Sequence, residues 1–184
     1  LADAMKGADA FVGVSRPNMV TKEMVGTMNA KHKMNLTNTN AGGWPASEMR
    51  RFLNEEIFPS LPIHWRNLIK TVQVRSTEGE MKDTIVTSAD KLFCLSAAEV
   101  GALSTVPYTD EVDPEAGSIR FPIYTSTADI PRRGFNGEGE LNEWCYRSPK
   151  SSKADSFIGC WANQNPKYEF SANQDRYVVW ACCM

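Results

Sequence analysis

Between residues 104 and 140 the chain carries Pro107, Pro114, Pro122 and Pro131 together with four glycines. Proline removes a backbone donor and fixes φ, and glycine marks turns, so no long helix or strand can run through this stretch. Upstream of it, apolar residues recur at helical spacing. Downstream, the segments are short and alternating. Helices early, short strands later and long irregular connections describe an α+β domain. At 184 residues the chain fits one domain, 1–184, with 1–30 as an N-terminal extension, and it buries a sizeable core without staples.

Composition narrows the function classes. Apolar residues make up 42% and charged residues 23%, with a net charge of −2. Those are the values of a globular chain. No basic field points to nucleic acid or an anionic membrane, and no apolar run approaches the roughly 18 residues of a membrane span. Cys94, Cys145, Cys160, Cys182 and Cys183 form neither a disulfide framework nor a paired zinc motif. They read as buried free thiols in a reducing compartment. No cofactor and no metal site is expected. Asp110, Glu111, Asp113 and Glu115 lack the glycine and distal glutamate of an EF-hand and read as a solvated loop.

Residues 1–35 are rich in Met and Ala, and Val20, Met24, Val25 and Met28 follow helical spacing, with Thr21 or Asn18 as cap. MNLTNTNAGGW (34–44) is a turn-rich loop. Ser47 should cap a helix whose apolar stripe is Met49, Phe52, Leu53 and Ile57, ended by Pro59 and Pro62. LPIHWRNLIK reads as a second short helix with Ile63, Leu68 and Ile69 inward. TVQVRS (71–76) alternates as a strand does. A polar excursion (77–83) then precedes TIVTSADKLFCLS, a strand buried on both faces, after which Ser96 caps a helical turn. Asn142 to Arg147 should be a strand anchored by Trp144. The last strands should span about 156–162 and 176–184, joined by a polar loop.

The tail is the part that points to function. From Trp161 to Trp180 it carries two Trp, two Tyr and Phe170, with Asn163, Asn165, Asn173, Gln164 and Gln174 among them. Aromatic residues mixed with Asn and Ser give large contact areas and adaptable hydrogen bonds, as on antibody-like surfaces.

Three separated motifs occur in order: MNLTNTNAGGWPASEMRRFLNEEIFPSLP (34–62), TSADKLFCLSAAEVG (87–101) and WCYRSP (144–149). Over roughly residues 30–184 the chain resembles a family of uncharacterised domains of bacterial, phage and archaeal-virus genomes. That family is similar to the C-type lectin fold in the variant shared with formylglycine-generating enzymes, which implies two helices packed on a small antiparallel sheet with long irregular connections. Departures from the family pattern cluster at the end. Members usually place two Trp and an aliphatic residue before Arg-Ser-Pro, where this chain has Trp144-Cys145-Tyr146. Members usually end in Gly-Val-Arg-Pro-Ala, where this chain has Tyr177-Val178-Val179-Trp180-Ala181.

Such a distribution resembles the variable proteins of diversity-generating retroelements, in which an error-prone reverse transcriptase rewrites the 3′ end of a target gene at template adenines. The resemblance implies a display protein, on a virion tail or a cell surface, whose segment 144–184 binds varied ligands, most of all proteins on cell surfaces, without catalysis. The residues expected to contact ligand are Cys145, Tyr146, Trp161, Asn163, Asn165, Tyr168, Phe170, Asn173, Asp175, Tyr177, Val179 and Trp180. In a strand Tyr177 and Val179 share one face and Val178 and Trp180 the other; Tyr177 and Val179 are favoured as the exposed pair. The exposed aromatics would together form a large apolar patch. The sequence leaves the oligomeric state open.

Two other readings stand beside this one. A fixed adhesive module of a phage tail or cell surface would pack the same aromatics on a neighbouring subunit. An enzyme related to formylglycine generation would work through Cys182 or Cys183. No catalytic constellation supports the second: His64 beside Trp65 reads as a packing or surface residue, and Arg147 as a buried structural ion pair or backbone contact. Trp44 and Trp65 read as core residues. The Glu-Pro-Asn, Gln-Pro-Asp and Trp-Asn-Asp triplets of calcium-dependent lectins are absent from the sequence, which leaves Trp161 and Trp180 as faces on which a sugar could stack.

Overall fold

The structure, a computed structural model, describes residues 31–100, 134–135, 141–160 and 168–184. The helix expected near residue 20 and the acidic group at 110–115 lie outside these residues. The described part is α+β: a few short helices and several small, mostly antiparallel sheets.

Strand β1 (Lys31–Lys33) runs into the Asn-rich loop, which ends at the first helix. Helix α1 (Glu48–Arg51) is capped as expected, the Ser47 hydroxyl accepting from the Arg50 amide at 3.2 Å. It continues as a π-helical segment (Phe52–Ile57) and then as α2 (Phe58–Ser60). Met49 and Leu53 are buried, with Phe52 and Ile57 packed beside them. Pro59 does not end the helix. It sits at the second position of α2, directly after the π-helical segment, and the helix stops at Ser60, before Pro62.

Helix α3 (Ile63–Leu68) corrects the expected inward set. Ile63 is 61% and Leu68 56% exposed, and only Ile69, just past the helix, is buried. One and a half turns are too short for a periodic stripe to decide the facing. Trp65 is half-buried, not a core residue like Trp44.

The expected polar excursion at 77–83 is a hairpin. Strands β2 (Val72–Gly79) and β3 (Lys82–Asp90) pair antiparallel around a turn at Glu80 and Met81, both at positive φ (53° and 61°). After β3 the chain breaks at Lys91 and Leu92, and β4 (Phe93–Cys94) follows. The expected strand buried on both faces holds only for its second half: Leu92 to Ala97 are all buried, whereas in β3 Thr84, Thr87 and Ala89 are exposed, because among the described residues β3 pairs only with β2 and leaves one face to solvent. Ser96 and Glu99 then form a reciprocal cap: the Ser96 hydroxyl accepts from the Glu99 amide (3.0 Å) and the Glu99 carboxylate accepts from the Ser96 amide (2.9 Å).

Strands β5 (Gly134–Phe135) and β6 (Leu141–Asn142) pair with each other. The main sheet combines β1 with β7 (Trp144–Pro149), β8 (Ser156–Cys160), β9 (Tyr168–Ser171) and β10 (Asp175–Tyr177), in the order β1-β10-β7-β8-β9. Strand β11 (Trp180–Ala181) pairs with β4, and Cys183 bridges to Lys70. The connection expected to be a polar loop therefore contains β9, and the expected final strand is split at Val178 and Val179.

Trp44 shows how the early loop is locked to the core. It is fully buried, and its indole Nε1 donates to the Asp90 carboxylate at 2.8 Å. Ser88 Oγ (2.6 Å) and Arg50 Nε (2.7 Å) also donate to Asp90, so the buried charge is satisfied from three sides. Gly43, at φ 58°, lies against β2: a Cβ there would stand 1.8 Å from the Thr77 carbonyl oxygen, so no larger residue fits.

Candidate functional site

The tail sorts its own residues by burial. Phe170, Ala172, Val178, Trp180 and Ala181 are buried, whereas Asn173, Gln174 and Asp175 are exposed and Ser171, Arg176, Tyr177 and Val179 half-buried. The facing of Tyr177 and Val179 outward, with Val178 and Trp180 inward, is the favoured one of the two alternatives. Asn173, Asp175, Tyr177 and Val179 are thus the expected ligand contacts that reach the surface.

Four expected contacts are inside. Cys145 and Tyr146 lie on β7, which runs between β10 and β8 and packs against β2 and β4, so each of its residues is buried. Phe170 is 1% exposed; it fills the space left by Gly159, where a Cβ would come 2.4 Å from its ring. Trp180 is 4% exposed, opposite Cys94 in the β11–β4 pair. An exposed aromatic patch built on Phe170 and Trp180 is therefore ruled out, and so is a sugar stacked on Trp180. Trp161, Asn163 and Asn165 lie outside the described residues, and of Tyr168 only the backbone, in β9, is described.

Beside the exposed turn lies a polar cavity of about 340 Å³, lined by Lys153, Asp155, Ser156, Glu169, Ser171, Gln174 and Arg176. None of these seven was among the expected contacts. Register explains how they meet: Ser156 pairs with Ser171 and Ile158 with Glu169, so these residues share one side of the sheet, opposite Phe157 and Phe170. The signal was the alternation Glu169-Phe170-Ser171, in which the polar residues, not the aromatic one, face out.

Lys153 and Glu169 form an ion pair across the cavity mouth. The hydrogen bond that Lys153 donates to the Glu169 carboxylate, and then the charge of Glu169, hold the Lys153 ammonium above the usual lysine range. Arg176 is fixed on several sides. Its Nη2 donates to Gln174 Oε1 (2.9 Å), its Nη1 to the Asp175 carbonyl (2.7 Å), and its guanidinium lies 4.3 Å from the Phe170 ring centroid. Its Nε faces the Glu143 carboxylate at 3.2 Å. Next to it, Lys31 Nζ sits 4.8 Å above the Tyr177 ring, across the β1–β10 pairing.

The Asn-rich loop holds both walls. Asn40 is fully buried; its Nδ2 donates to the Lys153 (2.7 Å) and Ser156 (2.8 Å) carbonyls, and its Oδ1 accepts from the Glu80 amide (2.7 Å). The Asn35 amide donates to the Ala172 carbonyl at 2.8 Å, and the Asn35 Oδ1 accepts from the Glu48 amide at 3.1 Å. The turns at 150–156 and 172–174 are thereby tied to α1 and to the hairpin. These asparagines serve the backbone, which is the role their loop-forming chemistry implies.

A profile of known families matches residues 18–178, most of the chain. The chain belongs to the family described as a domain of unknown function, DUF6273. No curated protein and no solved structure matches it. All three motifs of the sequence reading fall within the span of the DUF6273 match.

The groups considered for chemistry are dispersed in this DUF6273 domain. His64 is exposed on α3, while His32 stacks on Phe52 with ring centroids 4.0 Å apart. Cys182 is half-buried, and burial, with the neighbouring Cys183, pushes its thiol up to about 11, so it is protonated at neutral pH and a weak nucleophile. Cys183 is exposed. Among the described residues no group of three or more His, Cys, Asp or Glu could hold a metal ion, and no helix is long and apolar enough to cross a membrane. The cavity and its rim offer hydrogen-bond donors, acceptors and charges of both signs.

Proposed function

We propose that this domain is a binding module of C-type lectin type whose C-terminal surface recognises varied targets on cell surfaces, with diversification by a retroelement and no chemical turnover. The observation that carries this reading is the division of labour within the tail. Buried Phe170, Ala172, Val178 and Trp180 are interspersed along β9, the turn at 172–174, β10 and the link to β11 with exposed Asn173, Gln174 and Asp175 and half-buried Ser171, Tyr177 and Val179. Surface positions on a rigid scaffold change at little cost, usually within about 0.5 kcal/mol, so this arrangement lets the binding face vary while the core stays fixed. Helices beside small antiparallel sheets, with long connections, support the lectin-type assignment. The fixed adhesive reading has less support, because Phe170 and Trp180 are needed inside their own core.

The test is binding of the purified domain to candidate host cells, compared with a variant carrying Ala at positions 173, 174, 175, 177 and 179. Loss of binding at unchanged melting temperature is expected. Binding that survives all five changes would remove the reading.

A further inference from the structure

We propose that the outer edge of β3 is a self-association surface, on which a second copy of this chain adds its own β3 antiparallel, about a two-fold axis at Val86. The inference is independent of the reading of the tail and holds whatever the tail binds.

The β2–β3 hairpin has two edges, and the fold treats them differently. On the β2 side, Arg147 Nε donates to the Arg75 carbonyl at 2.8 Å, so that carbonyl points away from β3. In an antiparallel pair, a residue that turns its backbone groups away from the partner strand lies opposite one that does the same. Arg75 pairs with Thr87, so the Thr87 N–H and C=O point out of the hairpin on the β3 side. Alternation gives the same direction to Ile85 and Ala89. The Ala89 carbonyl agrees with this phase, since Arg50 Nη2 reaches it at 3.5 Å and closes that end of the edge. Ile85 and Thr87 are left with outward backbone groups, and among the described residues β3 pairs with β2 alone.

Natural edge strands are blocked by proline, by a charge or by a bulge. From Ile85 to Ala89 the register is regular and the residues are Ile, Val, Thr, Ser and Ala, so none of these devices is present. Antiparallel self-pairing at Val86 sets Ile85 opposite the second copy's Thr87, and Thr87 opposite its Ile85. Both pairs then exchange N–H and C=O bonds in full. The two half-buried Val86 side chains meet on the axis as a non-hydrogen-bonded pair, the closer kind of cross-strand contact.

Charge selects the occupant. The turn end of the hairpin carries Glu78, Glu80 and Asp83 against Lys82, and the other end carries Arg50 and Lys91 against Asp90. Antiparallel pairing of two copies lays the acidic end of each beside the basic end of the other, whereas parallel pairing would set like charges together. Two copies joined there carry two tail faces, and linked sites hold a surface more tightly than single ones.

The experiment is sedimentation velocity of the 184-residue chain under reducing conditions, which keep the exposed Cys183 from cross-linking copies. Concentration runs from about 1 μM to about 1 mM, and backbone amide exchange is followed over the same range. A monomer–dimer equilibrium is expected, with the Ile85 and Thr87 amides slowing as dimer forms. Thr87→Pro removes an outward donor and leaves the β2 ladder intact. Thr87→Lys, at an exposed position, puts a charge on the edge of each copy. Each should weaken the dimer at least about ten-fold with the melting temperature little changed; Thr87→Lys decides if the proline variant does not fold. A chain that stays monomeric at every concentration leaves the edge to a strand of another protein and overturns the proposal. So does a dimer whose Ile85 and Thr87 amides exchange as fast as in the monomer, or one that survives Thr87→Lys unweakened.

Discussion

Arg147 grips Glu99 at two points, Nη1 to Oε2 at 2.6 Å and Nη2 to Oε1 at 2.8 Å, with the arginine side chain only 2% exposed. The same guanidinium donates to the Cys94 carbonyl (2.8 Å) and, through Nε, to the Arg75 carbonyl (2.8 Å). One side chain thereby joins β7, β4, β2 and the turn that follows β4. Removing it leaves a carboxylate that is only 13% exposed and two carbonyls without their cation, so Arg147→Met should cost about 3 kcal/mol in urea unfolding. The double change Arg147→Met with Glu99→Gln should be less destabilised than the single one. A single-variant loss under about 1 kcal/mol would contradict the anchoring role.

Asn40→Asp keeps the shape but removes both side-chain donations and sets a carboxylate beside the carbonyls of Lys153 and Ser156. A loss of about 2–4 kcal/mol is expected. Hydrogen exchange should quicken first at 150–156 and near Glu80, the segments that Asn40 ties together. Uniform quickening across the domain would show that Asn40 has no local framing role.

Met81 sits at φ 61° in the β2–β3 turn and is 60% exposed. Left-handed backbone costs a non-glycine residue about 1 kcal/mol. Met81→Gly should therefore raise stability by about 0.5–1 kcal/mol in chemical denaturation, an outcome opposite in sign to most glycine substitutions.

Burial pushes the Cys94 thiol up to about 12, against a smaller opposing effect of the Arg147 charge, and pushes the Cys145 thiol well above the thiol range. With Cys182 at about 11, these groups stay protonated in the folded chain at a pH where the unfolded chain ionises. Folded pKa values above the unfolded one mean stability is flat below pH about 9 and falls as pH rises toward 12. Unfolding free energy measured from pH 7 to 11 should show that decline. A thiol reagent on the native domain should modify Cys183 first, and Cys94, Cys145 and Cys160 only after unfolding.

Local signals carried much of the fold. The Ser47 cap, the Met49 and Leu53 stripe, the start of β2 and the buried run from Leu92 each depend on residues a few positions apart. The hairpin turn was illegible because Glu80-Met81 replaces the glycine or asparagine that marks such turns. Arg147 was legible as a structural cation, but its partner Glu99 is 48 residues away. In the tail, alternation set Tyr177 and Val179 against Val178 and Trp180, and it was the match of Val178 to the family pattern that favoured the first pair as exposed. Neither could reveal that Phe170 fills the hole over Gly159, or that Trp180 pairs into β4, because both depend on distant segments. The polar cavity was missed for the same reason: its walls come from β8, β9 and β10 and from a loop held by Asn40.

The most direct measurement is sequencing of the 3′ end of the coding region across many isolates of the source population. Under the display reading, substitutions concentrate at positions 173, 174, 175, 177 and 179 and fall on template adenines, while the buried Phe170, Val178 and Trp180 and the framing Asn35, Asn40 and Arg147 stay fixed. A tail as constant as the MNLTNTNAGGW loop would contradict it.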